Sequence, residues 1–140
     1  MILYVNGQDI NELILGLVGE EIHLETFSVG PEKYLATLDA FLQTQNIELD
    51  KLEGVAVVVG PGSATALRSS LSIVNTLHFA KQLPLYTIEK DPTVSDEDIV
   101  TKDMLSKLKP LNKTSFAEPI YAHAPRITPS KKDALGRRKS

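Results

Sequence analysis

The chain has 140 residues, a formal net charge of −3 and no cysteine, with 42% hydrophobic and 24% charged residues. This length predicts one domain with its own core, and the lack of cysteine excludes a disulfide framework or a thiolate metal site. No apolar run approaches the roughly eighteen residues of a membrane span, and the N-terminus lacks the layout of a secretory signal, so we expect a cytoplasmic protein.

The charge is distributed unevenly along the chain. Residues 1–60 hold ten acidic and two basic residues, whereas the remaining eighty hold eight acidic and thirteen basic residues. Six of those bases lie in residues 126–140. An acidic head and a basic tail predict different partners for the two ends.

The pattern of the N-terminal region predicts a three-stranded antiparallel meander. Short apolar segments occupy Ile2–Asn6, Asn11–Val18 and Glu21–Val29, and a Gly19–Glu20 turn separates the last two. Such segments, joined by a short glycine-containing turn, are typical of paired strands.

A first helix follows the meander. Gly30 and Pro31 end the third strand, and proline is favoured in a first helical turn, so we predict a helix to about Asn46. Its apolar surface is wider than one stripe: Leu35, Leu38 and Leu42 lie together, with Tyr34 and Phe41 beside them.

The stretch from Val55 to Leu83 organises the rest of the chain. The β-branched run Val55–Val59 predicts a buried strand, and a glycine–proline–glycine turn then leads into a helix that Ser63 or Thr65 can cap. We interpret this turn as a structural connection, because it lacks the lysine of a Walker A loop and the spaced glycines of a dinucleotide fingerprint. The alternative is an anion site formed by free N–H groups at the helix N-terminus.

This second helix carries two apolar stripes. One stripe is enough to pack a helix on a sheet, so the second predicts either another helix of this chain or a different subunit, and the pattern leaves both open. The first stripe is Leu67, Leu71, Val74 and His78, and the second is Ala66, Ser70, Ile73, Leu77 and Ala80.

Beyond this helix, Pro84–Ile88 predicts a fifth strand with proline at its first position. Ser95 and Asp98 form a capping box for a third helix that ends before Pro110, and the acidic residues 96–98 suit a helix N-terminus better than a metal site. The apolar stripe of this helix is Val100, Met104 and Leu108.

The order of these elements predicts a single ribonuclease H-like α/β lobe over residues 1–110. We expect residues 111–130 to pack on the lobe as an extended segment through Ile120 and Tyr121. Residues 131–140 are predicted to be a disordered basic tail, which either solubilises the protein or contacts RNA phosphates.

The sequence predicts no catalytic residue, metal site or cofactor. A ribonuclease H-like nuclease needs several carboxylates at its strand ends to hold metal ions, but the first strand ends in Asn6. The histidines His23, His78 and His123 have no histidine four residues away with which to share a metal.

The run GPGSATALR, followed by an apolar helix and LPLYTIE, resembles the GPGSFTGLR signature of the bacterial TsaB (YeaZ) family. The resemblance covers about the first ninety residues, and EPIYAHAP is similar to the segment that closes family members, whereas the region between is shorter than their second lobe. The chain departs from the family pattern in and after the signature, at Ala64, Ala66, Ser70 and Asn75. It also has Asn6 in place of the aspartate that is usual in the actin-like superfamily. The matching signature residues are Gly60, Pro61, Gly62, Ser63, Thr65, Leu67 and Arg68.

The resemblance implies an actin-like ATPase fold and a non-catalytic scaffold or dimerisation subunit in the synthesis of threonylcarbamoyladenosine on tRNA. The implied partner is a TsaD-type catalytic subunit, bound through the first two helices, with a TsaE-type ATPase or a second copy as further partners and only indirect contact with tRNA. No membrane is implied. The candidate contacts are Tyr34, Leu38, Phe41, Leu71, Val74 and His78.

Two other functions remain as alternatives. The glycine turn and basic tail would suit a nucleotide- or RNA-binding module. The hypothesis of a divergent actin-like hydrolase has less support, since Asp9 is the only nearby residue that could replace the acid missing from the first strand.

Overall fold

A computed structural model describes residues 1–101 and 106–121. In this part of the chain, the predicted order of strands and helices is confirmed. The strands are β1 (Ile2–Asn6), β2 (Leu13–Val18), β3 (Ile22–Phe27), β4 (Gly54–Gly60) and β5 (Leu85–Glu89). The helices are α1 (Tyr34–Thr44), α2 (Ala64–Lys81) and α3 (Asp96–Ile99), with short 3₁₀ turns at Pro31–Lys33 and Leu49–Lys51.

The five strands form one sheet in the order β3-β2-β1-β4-β5. The meander is antiparallel, with Ile2 opposite Val18 and Leu13 opposite Phe27. By contrast, β4 lies parallel to both β1 and β5. Parallel neighbours need a crossover connection, which α1 and α2 supply. The carboxyl ends of β1, β4 and β5 therefore meet at one edge of the sheet.

Both faces of the central strands β1 and β4 are buried. On one face, alternate side chains such as Leu3, Val5 and Val57 pack against α1 and α2. On the other, Tyr4 and Val58 belong to a second cluster of buried side chains. The central strand β4 is buried along its whole length, as its continuous β-branched run predicts.

The third helix is shorter than predicted. The capping residue is confirmed, because Ser95 Oγ accepts a hydrogen bond from the N–H of Asp98 at 3.3 Å. However, α3 ends at Ile99, since Val100 leaves the helical backbone conformation and buries its side chain in the second cluster. Residues 106–107 are helical again, so the predicted helix is interrupted within its predicted range. Met104 lies outside the described residues.

Residues 111–121 run back along the lobe in an extended path. The N–H of Leu111 donates to the carbonyl of Leu85 at 2.8 Å, and that of Ile120 donates to the carbonyl of Val59 at 2.7 Å. We call residues 111–121 the strap. The predicted basic tail, residues 131–140, lies outside the described residues.

Candidate functional site

The signature turn joins β4 to α2, and close backbone contacts explain its glycines. Gly60 has φ +134°, and a Cβ at this position would clash with the carbonyl oxygen of Ile120. A Cβ on Gly62 would lie 2.7 Å from the carbonyl oxygen of Gln8. The backbone of the turn is therefore in close contact with two other segments of the chain, the β1–β2 loop and the strap.

The cap of α2 is Ser63. Its Oγ accepts a hydrogen bond from the N–H of Ala66 at 3.3 Å, and its own N–H donates to the carbonyl of Gln8 at 2.9 Å. Thr65 is exposed and does not cap the helix. Because the N–H of Ser63 is already bonded within the chain, the structure favours the interpretation of this turn as a structural connection over an anion site.

Two other signature residues differ sharply in their surroundings. Leu67 is fully buried and packs in the interior. Arg68 is exposed, and its guanidinium lies 5.9 Å from the centre of the Tyr121 ring in the strap. This distance fits a cation–π interaction. Arg68 therefore adds a side-chain contact to the backbone contacts between turn and strap.

The predicted contact residues all lie in the interior of the chain. The helical pattern shows which side chains are apolar, but α1 and α2 pack side by side on the same face of the sheet and cover them. A partner that uses these helices would therefore contact their exposed neighbours. The exposed fractions are Tyr34 1%, Leu38 5%, Phe41 2%, Leu71 3%, Val74 0% and His78 3%.

Tyr34 connects α1 to the loop after β1. Its hydroxyl lies 3.1 Å from the carbonyl oxygens of both Asp9 and Glu12. Burial, and then the nearby charges of Asp9, Glu12 and Glu32, raise the pKa of Tyr34 to about 12. The hydroxyl therefore acts as a neutral donor that anchors the start of α1.

The outward side of α2 forms a shallow groove, which we call the α2 groove. Two adjoining depressions of about 390 and 450 Å³ share Ser72. Leu35 of α1 is 65% exposed at one end, and the rings of Phe79 and Phe116 lie 5.1 Å apart at the other. The helical spacing of the small residues could have revealed this face from the sequence. Its helix side carries Ser69, Ser72, Thr76 and Ala80.

A cleft of about 520 Å³ lies at the carboxyl ends of the strands. Asn6 Nδ2 donates to Asp96 Oδ1 at 2.7 Å, and the Tyr4 hydroxyl donates to the same oxygen. Burial and this contact with Asp96 raise the pKa of Tyr4. The sequence interpretation assigned Asp96 only to the N-terminus of α3, and so missed its contact with β1.

A buried lysine lies beside the same cleft. Lys90 is 4% exposed, and its Nζ lies 3.3 Å from both Gln8 Oε1 and the carbonyl oxygen of Asp91. Asp9, Glu12 and Asp96 also line the cleft, and their carboxylates would oppose an anion there. Over residues 1–101 and 106–121, no three histidine, cysteine or acidic side chains are grouped so that they could hold a metal ion.

His23 and His78 lie apart, as expected from their spacing. His23 Nε2 is 2.7 Å from Glu25 Oε2 on β3, while His78 Nδ1 is 2.7 Å from the carbonyl oxygen of Leu83. His123 lies outside the described residues. None of the described helices has the length and apolar character needed to cross a membrane.

The mixed sheet, the antiparallel meander and the two crossover helices define a ribonuclease H-like α/β lobe. The predicted fold class is thus confirmed. Residues 31–90 match a family model described as "TsaD: tRNA N6-adenosine threonylcarbamoyltransferase". The predicted resemblance to proteins that synthesise threonylcarbamoyladenosine on tRNA is confirmed by this match and by two curated relatives of the same name.

Two curated relatives carry the name tRNA N6-adenosine threonylcarbamoyltransferase. The one from Geobacter sulfurreducens is 38% identical over 85 residues, which cover 58% of this chain and 23% of the relative. The one from Geobacter metallireducens is 38% identical over 63 residues, which cover 45% and 16%. The matched region thus spans less than a quarter of either relative.

The fold is also similar to that of YeaZ from Pseudomonas aeruginosa. The TM-score is 0.57 with 20% sequence identity, over 63% of this chain and 43% of the other. At this identity, the similarity shows a shared fold and does not by itself assign a function.

Proposed function

We propose that the protein is a non-catalytic scaffold subunit in the synthesis of threonylcarbamoyladenosine on tRNA, and that it binds a TsaD-type catalytic subunit through the α2 groove. The observation that carries this proposal is the outward face of α2, where small side chains lie between the apolar Leu35 and the Phe79–Phe116 pair. Small side chains at a helix–helix contact allow a short distance between the two helix axes, and the apolar ends supply buried area on association.

The cleft supports the non-catalytic part of the proposal. At the end of β1, Asn6 turns its Nδ2 donor towards Asp96, while its Oδ1 accepts a hydrogen bond from the N–H of Gln8 at 3.0 Å. A metal-dependent hydrolase would need an acidic oxygen free at this place. Asn6 instead uses both ends of its amide to hold the cleft together.

The remaining partners follow from the same proposal. A second copy of the chain or a TsaE-type ATPase would join the assembly, and tRNA would be contacted through the complex, in the cytoplasm. Since the curated relatives are named as transferases, the experiment must also separate a scaffold from an enzyme. Assaying tRNA modification by this chain alone, and by this chain with the TsaD-type subunit, makes that separation. Activity of the isolated chain would contradict the proposal.

The binding face is tested by co-purification with the TsaD-type subunit of the same organism. Leu35→Glu and Ser72→Arg place charge in the α2 groove, and we expect each to weaken the complex by about tenfold or more. Ile22→Glu is the matched control, because Ile22 is 40% exposed on β3, away from the helices. Leu71 is unsuitable for this test, since a charge at a 3% exposed core position would unfold the chain.

Retention of the complex by both groove variants would overturn the proposed face. Circular dichroism of each variant shows whether its fold is intact, so loss of binding can be attributed to the surface.

A further inference from the structure

The two edge strands of the sheet, β3 and β5, differ in what covers their outer sides. The strap reaches β5, where the N–H of Leu111 donates to the carbonyl of Leu85 at 2.8 Å. Within residues 1–101 and 106–121, no strand or strap residue pairs with the outer side of β3. An open edge of this kind offers a row of unpaired N–H and C=O groups to another strand.

β3 also lacks the features that usually prevent pairing at a sheet edge. Natural edge strands are protected by a proline, a lysine or a bulge. The strand sequence IHLETF contains neither proline nor lysine, and its register with β2 continues through all six residues without a shift. Its first residue, Ile22, is 40% exposed. We call the outer side of Ile22–Phe27 the β3 edge, and infer that it suits backbone pairing with another chain.

The hydrogen bonds between β2 and β3 determine which backbone groups face outward. In an antiparallel pair of strands, residues that exchange hydrogen bonds with the partner strand alternate with residues that do not. The N–H of Gly19 donates to the carbonyl of Glu21 at 3.1 Å, and Ile22 is the next residue in the register. Ile22, Leu24 and Thr26 therefore direct their N–H and C=O groups away from β2.

Charge discriminates between the two registers in which five residues of β3 could pair with a second β3 about a two-fold axis. An axis at Glu25 would place the Glu25 carboxylates of both copies directly opposite each other, which destabilises a sheet. An axis at Leu24 instead places His23 of each copy opposite Glu25 of the other. These side chains are compatible, because His23 Nε2 lies 2.7 Å from Glu25 Oε2 within one chain.

We propose that the β3 edge is a self-association surface, on which a second copy of this chain adds its own β3 antiparallel to the first, with Leu24 on the two-fold axis. The two sheets then become one continuous sheet. The contact between His23 and Glu25 occurs twice, once on each side of the axis. Because this surface is separate from the α2 groove, the proposal does not rest on binding of a TsaD-type subunit.

The test is analytical ultracentrifugation of the full chain alone over a range of concentrations. We expect a reversible equilibrium of monomer and dimer with a Kd on the order of 100 μM, since one pair of strands is a small interface. His23→Glu places like charges opposite each other on both sides of the axis, and should weaken the dimer by about fivefold or more. Adding Glu25→Lys to it restores opposite charges, so the double variant should dimerise as the natural chain does.

Ser72→Arg is the control, because it changes the α2 groove and leaves the β3 edge intact. It should leave self-association unchanged, whereas His23→Glu should leave the complex with the TsaD-type subunit unchanged. The two binding faces are therefore tested independently, and failure of one is distinguishable from failure of the other.

Three results would each contradict the self-association surface. They are a chain that stays monomeric up to about 1 mM, a dimer that Ser72→Arg disrupts, and equal dimer affinity of His23→Glu and the double variant. Hydrogen exchange of the natural chain adds a test that needs no substitution. The amides of Ile22, Leu24 and Thr26 should be better protected at high than at low protein concentration, and protection independent of concentration would also contradict the proposal.

Discussion

The side-chain amide of Asn75 and the backbone of Ala117 form a reciprocal pair of hydrogen bonds. Asn75 Nδ2 donates to the carbonyl of Ala117 at 3.1 Å, and the N–H of Ala117 donates to Asn75 Oδ1 at 2.8 Å. Asn75 is on α2 and Ala117 is in the strap, so this pair binds the strap to the helix. Phe116, next to Ala117, thereby becomes one end of the α2 groove.

Asn75→Ala should release this part of the strap. It removes both hydrogen bonds and leaves two backbone groups of Ala117 without their partner, so we expect a loss of about 1 to 3 kcal/mol in the free energy of unfolding. Hydrogen exchange at the Ala117 amide should accelerate. Thr76→Ala is the control, because the Thr76 hydroxyl bonds within α2, to the carbonyl of Ser72. Unchanged exchange at Ala117 would show that other contacts hold the strap.

Gly60→Ala should destabilise the protein through two effects. A φ of +134° is unfavourable for any residue with a Cβ, and the new methyl group would clash with the carbonyl oxygen of Ile120. We expect a loss of at least about 2 kcal/mol, measured by urea denaturation. Gly19→Ala is the matched control, since the nearest atom to its Cβ is a Met1 side-chain carbon at 3.5 Å. Similar stability of the two variants would contradict the proposed contact between turn and strap.

Asn6→Asp should destabilise the cleft, and adding Asp96→Asn should restore it. Asn6 Nδ2 lies 2.7 Å from Asp96 Oδ1, so the first change places two carboxyl groups in contact, and one of them must then take up a proton. We expect a loss of about 2 kcal/mol or more near neutral pH. In the double variant, the amide introduced on α3 can donate to the carboxylate introduced on β1, which reverses the direction of the bond. A double-mutant cycle measures the coupling, and independent effects of the two changes would disprove it.

The raised pKa of Tyr34 predicts that the folded protein loses stability in alkali. Its pKa is raised from 10.0 to about 12 in the folded protein, by burial first and then by the neighbouring acids. A raised pKa gives stability that is complete below the unfolded value and is lost as pH rises, here from about 10 to about 12. In Tyr34→Phe this part of the pH dependence disappears, so the stability difference from the natural protein should shrink across that interval. Urea denaturation at several pH values checks this, and a constant difference would contradict it.

The order of the elements and several of their ends could be predicted from the sequence. The strand Gly54–Gly60, the turn that follows it and the Ser63 cap are predictable because they depend on neighbours within a few residues. The capping of α3 by Ser95 was predictable for the same reason. Local preferences of this kind are set by backbone sterics and by hydrogen bonds that span three or four positions.

What covers each apolar face could not be predicted in this way, because it depends on how the elements pack. Helical spacing shows the direction in which Leu71 and Phe41 point, but not that α1 and α2 lie side by side on one face of the sheet and bury both. The pairing of Asn6 with Asp96, 90 positions apart, and of Asn75 with Ala117, 42 apart, likewise depends on the path of the whole chain. For the same reason α3 ends at Ile99, where burial of Val100 against the sheet stabilises the chain more than another helical turn. Periodicity specifies an angle around a helix, whereas a contact requires two distant segments to meet, and that is determined by the packing of the complete core.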